Sequence, residues 1–307
     1  LAGTGSPARG VDALNPRDVV LALLVVSLWG TNFIAVKIVL GVLPPLFLTA
    51  LRFALVACVL VPFFRLRRDQ IKGIAAIGAV LGCGHFGLLF VSLSGMDAAS
   101  AAIVTQLGVP FSALLAWAVF GEKLGPARSF GLVMAFAGVA LLAGEPSLPH
   151  WGPLAIGVAS MVCWAISNVQ VKRLGTIAPL ALNGWMALFA APMLLGLSLA
   201  GESGQLDALA HAIMSPPILA GMAYTVIASS LVAYSLWYQL LGRHPMNRIV
   251  PFTLLGPVIS VAGGVTLLGE PLGWHKLAGG ALTIAGVAVV QLIGGVVPCK
   301  DEPEPGT

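Results

Sequence analysis

Residues 27–37 read SLWGTNFIAVK and residues 162–172 read VCWAISNVQVK, with the same Trp-to-Lys spacing. Each puts an indole beside hydroxyl and amide groups in the middle of an apolar run. An unpaired polar group is costly in hydrocarbon, so such residues face a bundle interior or a wet cavity. Trp29, Asn32 and Phe33 stand at i, i+3 and i+4, and therefore on one helix face. Trp164, Ser167 and Asn168 repeat that face. The chemistry on offer is non-covalent: an aromatic surface with hydrogen-bonding groups on two matching walls. Small and polar residues can also glue helices together, but tryptophan is too large for that role.

Other polar and aromatic residues lie in apolar segments. His85 is the only histidine deep in one of them, and its charge changes near neutral pH. It is a candidate for carrying a proton or binding a carboxylate, or else a neutral ring bonded to a neighbour. Gln106 adds a hydrogen-bonding group. Phe86, Trp185, Tyr234 and Tyr238 supply aromatic surface of the kind that stacks on an apolar or aromatic side chain. Arg52 lies halfway along its segment and could meet a solute carboxylate, but a framework role, by snorkelling or through a structural partner, is the expectation. Glu122 and Glu270 stand at equivalent helix ends, where exposed N–H groups favour a carboxylate, and both are expected to be structural.

The elements that position these residues must be membrane helices. Hydrophobic residues make up 58% of the chain and charged residues 9%, against about 25% charged in a soluble domain. Such a chain cannot cover itself in water. Between Asp18 and Lys37 lie 18 uncharged residues, close to the roughly 20 that span a bilayer. The run is too long for a signal-peptide core and is read as a retained helix. Ten apolar segments follow from the turn residues: 18–40, 45–64, 72–93, 97–120, 126–143, 151–172, 178–200, 215–241, 245–268 and 273–296. Residues 1–17 and 297–307 read as a disordered N-terminal and a polar C-terminal tail. The only long connection, 201–217, reads as a loop. Cys58, Cys83, Cys163 and Cys299 form no disulfide framework.

Lysine and arginine in short loops set the orientation. With a cytoplasmic N-terminus, the cytoplasmic side receives Arg9, Arg17, Arg65, Arg67, Arg68, Lys72, Lys123, Arg128, Lys172, Arg173, Arg243, Arg248 and Lys300, which is 13 of 16. Lys37 and Lys276 fall outside. Both termini are therefore expected in the cytoplasm, and the net charge of +4 needs no nucleic acid to explain it.

The chain also contains itself twice. A shift of 148 residues lays GEKLG at 121–125 on GEPLG at 269–273, Gly131 on Gly279, Gly138 on Gly286, and Phe86 and Phe90 on Tyr234 and Tyr238. In the first helix of each half the shift is 135, which lays Trp29 on Trp164. Five spans per half is an odd number, so the halves must be inverted in the membrane, as in secondary transporters with a site between repeats. The expected fold is all-α, two inverted five-helix repeats at 18–143 and 151–296 around a central cavity.

WGTNF in the first span, LRFAL in the second, and GE closing the fourth and ninth spans carry a resemblance over residues 18–295. The chain resembles the EamA-type ten-helix exporters of the drug/metabolite transporter superfamily, and among them the YddG aromatic amino-acid exporters. The resemblance implies a helical basket around a central cavity and export of amino acids or related metabolites. The alternatives are export of another class, such as a drug or a phosphorylated sugar, or a membrane receptor that transports nothing. Few fixed charges and much aromatic surface favour neutral, amphipathic solutes over phosphorylated sugars, since Arg52 has no counterpart in the seventh span. Past Asp18 at its edge, the first span holds no acid to support cation exchange. No paired acid or His- or Cys-rich motif suggests an enzyme, a metal or a cofactor, and no P-loop suggests ATP. The expected partners are a small solute and the lipid of a bacterial inner membrane, with a monomeric chain. If His85 couples protons, His85→Ala abolishes the dependence of export on a pH gradient; an unchanged gradient response removes that role.

Overall fold

The structure is a computed structural model that describes residues 14–121, 124–145, 151–244 and 246–292. Glu122, both terminal tails beyond these limits, and the side chain of Tyr238 lie outside the described residues.

Apolar composition and Gly/Pro punctuation produce a bundle of helices. They are α1 (Pro16–Leu40), α2 (Pro45–Leu60), α3 (Arg68–Ser94), α4 (Ala98–Val119), α5 (Pro126–Leu142), α6 (Gly152–Leu174), α7 (Pro179–Gly201), α8 (Gln205–Met214), α9 (Pro216–Arg243), α10 (Val250–Leu268) and α11 (Trp274–Leu292). Among the described residues, nine of these are long and apolar enough to cross a bilayer, and α5 is a shorter apolar helix of 17 residues. Proline opens α1, α2, α5, α7 and α9, where its missing N–H costs nothing. Large apolar side chains such as Phe63, Phe130, Val133, Leu199 and Leu267 are exposed on the outside of the bundle, which suits lipid contact. The protein is an integral membrane protein.

The connection at 201–217, expected as a loop, contains α8. It is amphipathic: Ala208, Leu209 and Ala212 pack on the core while Leu206, Ile213 and Met214 are exposed.

The two halves match in local detail. α3 carries a stretch of wider π turns at Gly78–Gly87, and α9 carries one at Tyr224–Ala233. α4 breaks its regular turns at Gln106, and α10 changes from 3-10 to α geometry at Leu254–Leu255, 148 residues later. Gly121 and Gly269 end these helices in the left-handed region, with φ of 68° and 65°, a backbone state that only glycine adopts without strain.

The halves join where α5 lies on α11. A Cβ added at Gly131 would sit 2.7 Å from Gly286 O, and one at Gly279 would sit 2.6 Å from Gly138 O. The second contact is thus the repeat image of the first. Thr283 Oγ1, which donates to Gly279 O in its own helix (2.7 Å), lies 3.5 Å from the carbonyl oxygen of its repeat mate, Ala135. Small residues let the backbones approach where lipid offers no hydrophobic drive.

Carboxylates at helix ends complete the frame. Glu270, just beyond α10, accepts from the N–H groups of Ala98 (2.6 Å) and Ala99 (3.1 Å) at the start of α4. Asp97 caps the same helix through Ser100 N (2.6 Å) and pairs with the buried Lys276 (3.0 Å). Glu202, past the end of α7, accepts from Leu46 N (2.8 Å) and Phe47 N (3.1 Å) at the start of α2.

Gly138→Val forces a side chain onto Thr283 N, 2.5 Å from the added Cβ, and overpacking of this kind costs about 1–3 kcal/mol. The thermal midpoint of the purified protein in detergent is expected to fall for Gly138→Val and to hold for Gly196→Ala, whose Cβ meets nothing within 4 Å. Equal midpoints would remove the close helix contact as a source of stability.

Candidate functional site

A cavity of about 240 Å³ lies inside the bundle, with room for about eight water molecules. Its wall is built from α1, α2, α3, α4, α6, α9 and α10, and so from both halves. α1 contributes Val26, Trp29, Asn32, Phe33 and Val36, one continuous face at helical spacing. Toward the far end of that face, Lys37 leaves the wall and donates to Leu93 O (2.9 Å) and Met96 O (2.6 Å), tying α1 to the end of α3.

Seven expected site residues meet at this wall: Trp29, Asn32, His85, Phe86, Gln106, Trp164 and Tyr234. Trp29 is held by its Nε1–H, which donates to Ser229 O (3.3 Å), and by the rings of Tyr234 and Trp237, both with centroids 5.2 Å away. Trp164 rests on Gly108 of α4, where an added Cβ would sit 2.9 Å from the indole. Its ring also meets His85 at 5.0 Å, and His85 meets Phe86 at 4.5 Å.

His85 is buried and locked on one side. The Ser160 hydroxyl donates to His85 O (2.9 Å), so its oxygen is left to accept from Nδ1–H (3.0 Å), with Ser160 O as a second acceptor at 3.3 Å. Nδ1 therefore carries the proton, and Nε2 is the ring atom left for the cavity. Every described carboxylate sits at or beyond a helix end: Asp18, Asp69, Asp97, Glu145, Glu202, Asp207 and Glu270. None of them lines the cavity.

Three expected residues do not reach this wall. Ser167, the mate of Asn32, is too short: its hydroxyl turns back to donate to Trp164 O (2.7 Å) in its own helix. Asn168 is exposed and donates through Nδ2 to Ser112 Oγ on α4 (3.0 Å), so it joins two helices. Trp185 donates through Nε1 to Phe64 O just past α2 (2.8 Å) and packs near Phe189. Asn168 finds its partner on a neighbouring helix and Trp185 just past one, and neither residue lines the cavity.

Arg52, expected as a framework residue, does line the cavity, although only 3% of it is exposed. Its Nε and Nη2 donate to Ser230 Oγ (3.0 and 2.9 Å). Position eight of a 16-residue helix is too deep for snorkelling, and that depth was a readable sign of an interior role. Thr105, Met161, Thr253 and Pro257 also line the wall, and nothing in their residue types marks them out.

Fold and site together define a polytopic helical membrane protein with a solute-sized cavity between its halves. The sequence profile of the EamA-like transporter family matches twice, over residues 17–144 and 151–292. A protein of Salmonella typhimurium LT2 named "Probable amino-acid metabolite efflux pump" is 32% identical over 90% of this chain and 95% of its own length. A protein of the same name from Escherichia coli K12 is 31% identical over the same shares. An uncharacterized transporter of Archaeoglobus fulgidus is 28% identical over 89% and 97%. A solved crystal structure shares the fold, with a TM-score of 0.62 at 21% identity over 91% of this chain and 98% of that one. The chain belongs to the EamA-like transporter family of the drug/metabolite transporter superfamily.

Gly108→Leu drives a branched side chain against Trp164 and pushes the indole into the cavity. Solute flux through the reconstituted protein is expected to fall at least tenfold while the protein stays monodisperse. Undiminished flux would separate the Trp164 wall from the path.

Proposed function

We propose that the protein is a secondary transporter that exports neutral amino acids, aromatic ones among them, across the bacterial inner membrane by alternating access. The observation that carries this reading is a cavity shared by both halves, walled by aromatic and apolar side chains and free of carboxylates among the described residues. Such a wall suits a solute with an apolar body and a small polar head. The names of the Salmonella and Escherichia relatives support the amino-acid class and the outward direction.

Two inverted five-helix repeats, 18–143 and 151–296, supply the alternating element. The reciprocal glycine contacts between α5 and α11 support that reading, as do the matched π stretches and helix breaks. The halves rock about the site and open it to one face at a time. The lysine and arginine bias supports cytoplasmic termini.

Counterflow in proteoliposomes tests the function. Labelled phenylalanine, tryptophan or leucine is expected to accumulate against unlabelled internal amino acid, and a sugar phosphate is not. Counterflow of sugar phosphate alone would reject the amino-acid assignment. His85 meets no carboxylate in the described wall, so the exchange is expected to be unaffected by collapsing the pH gradient.

A further inference from the structure

The wall holds two buried polar groups of opposite character whose valences are unfilled. Arg52 forms no ion pair with a described carboxylate, and its Nη1 has no hydrogen-bond partner. Its other two bonds go to one hydroxyl. Ser230 spends its own hydrogen on Thr225 O (2.8 Å), so it presents only oxygen lone pairs to the guanidinium. Further compensation comes from the neighbouring Tyr234 and from ring faces: the guanidinium carbon lies 5.3 Å from the Phe86 centroid and 5.6 Å from that of Phe90. Ring faces attract a cation more weakly than a carboxylate does. On the same wall, Asn32 Oδ1 is buried and accepts no hydrogen bond.

A bilayer-depth arginine with no counter-charge is expensive, and native structures leave few buried polar atoms unpaired. Where such atoms belong to residues that line one cavity, a ligand that completes them removes the cost. A carboxylate completes Arg52, because the fork of N–H donors fits two carboxylate oxygens. An ammonium completes Asn32 Oδ1, with His85 Nε2 as a further acceptor in the same wall. A zwitterion with an apolar side chain supplies both, and the Trp29 and Trp164 rings supply the surface for that side chain.

We propose that Arg52 binds the carboxylate of the transported solute and Asn32 its ammonium group, which makes the pair the specificity determinant of the cavity. The assignment rests on the reading of this cavity as the solute site. It accounts for a charge in the middle of α2 that the bonds to Ser230 leave half satisfied. Ser230 is then a positioning residue that aims the guanidinium.

The test uses the purified full chain in detergent, with intrinsic tryptophan fluorescence, to which Trp29 and Trp164 contribute, reporting binding. The probes are phenylalanine, 2-phenylethylamine, which lacks the carboxylate, and 3-phenylpropionate, which lacks the ammonium. Phenylalanine is expected to bind at least about tenfold more tightly than either analogue, the scale of a lost hydrogen bond to a charged group. In Arg52→Gln the affinity for phenylalanine drops to that for 2-phenylethylamine, whose own binding is unchanged. Arg52→Lys keeps part of the preference. Asn32→Leu brings phenylalanine down to the level of 3-phenylpropionate. If Arg52→Gln fails to fold, the wild-type panel and Arg52→Lys decide the matter. Equal binding of phenylalanine and 2-phenylethylamine by the wild type, equal weakening of both by Arg52→Gln, or no binding of any probe overturns the assignment. Carboxylate-selective binding without flux would reject the exporter and leave this assignment standing. Flux indifferent to the carboxylate would do the reverse.

Discussion

A polar group inside a bilayer has no water to fall back on, so the chain must satisfy it from within. The ends of helices are where this demand is hardest, because each start leaves N–H groups unpaired. Glu270 and Glu202 answer it by reaching from the ends of α10 and α7 to the starts of α4 and α2. Both are contacts between the first half and the second. The need to cap a helix thus becomes a force that holds the halves together, and it places them around a space that neither half encloses alone.

That space inherits its chemistry from the same constraint. Polar side chains that find partners in the helix frame are spent on structure, as with Ser167, Asn168 and Trp185. Two that keep an unpaired atom, Asn32 and Arg52, stand on the cavity wall. The wider turns of α3 and α9 contribute here: His85 and Phe86 come from one stretch, and Ser229 from the other. Irregular helix at such depth is tolerated where it is buried in protein or borders a cavity. Packing between α5 and α11 lies away from this wall, in glycines that bring backbones together rather than in groups that could touch a solute.

Much of this was readable in the residues themselves. The span count follows from apolar run length, and the match between halves from GEKLG and GEPLG. Trp29, Asn32 and Trp164 were visible because an indole or an amide in a greasy run has few reasons to be there. The repeat misled at Ser167 and Asn168, since a shared register carries over backbone position but not side-chain reach. The sequence shows that Glu270 sits at a helix end, yet not that it caps a helix 172 residues away, because that pairing exists only after the halves dock. Arg52 was undervalued for a related reason. Its distance from either helix end was legible, whereas the hydroxyl that half satisfies it comes from Ser230 on α9, 178 residues away. α8 was missed because its helical spacing hides in a stretch marked by glycine, serine and proline.

The central claim is that the cavity is the solute site and is exposed to the two membrane faces in turn. The most direct measurement places a single cysteine at Thr105, on the cavity wall, in a chain whose native cysteines are replaced by alanine. A membrane-impermeant maleimide is then applied from one side or the other. The account predicts labelling from both faces in the absence of solute, and protection on both faces by saturating phenylalanine. Labelling from one face only, with no protection by any amino acid, would contradict it.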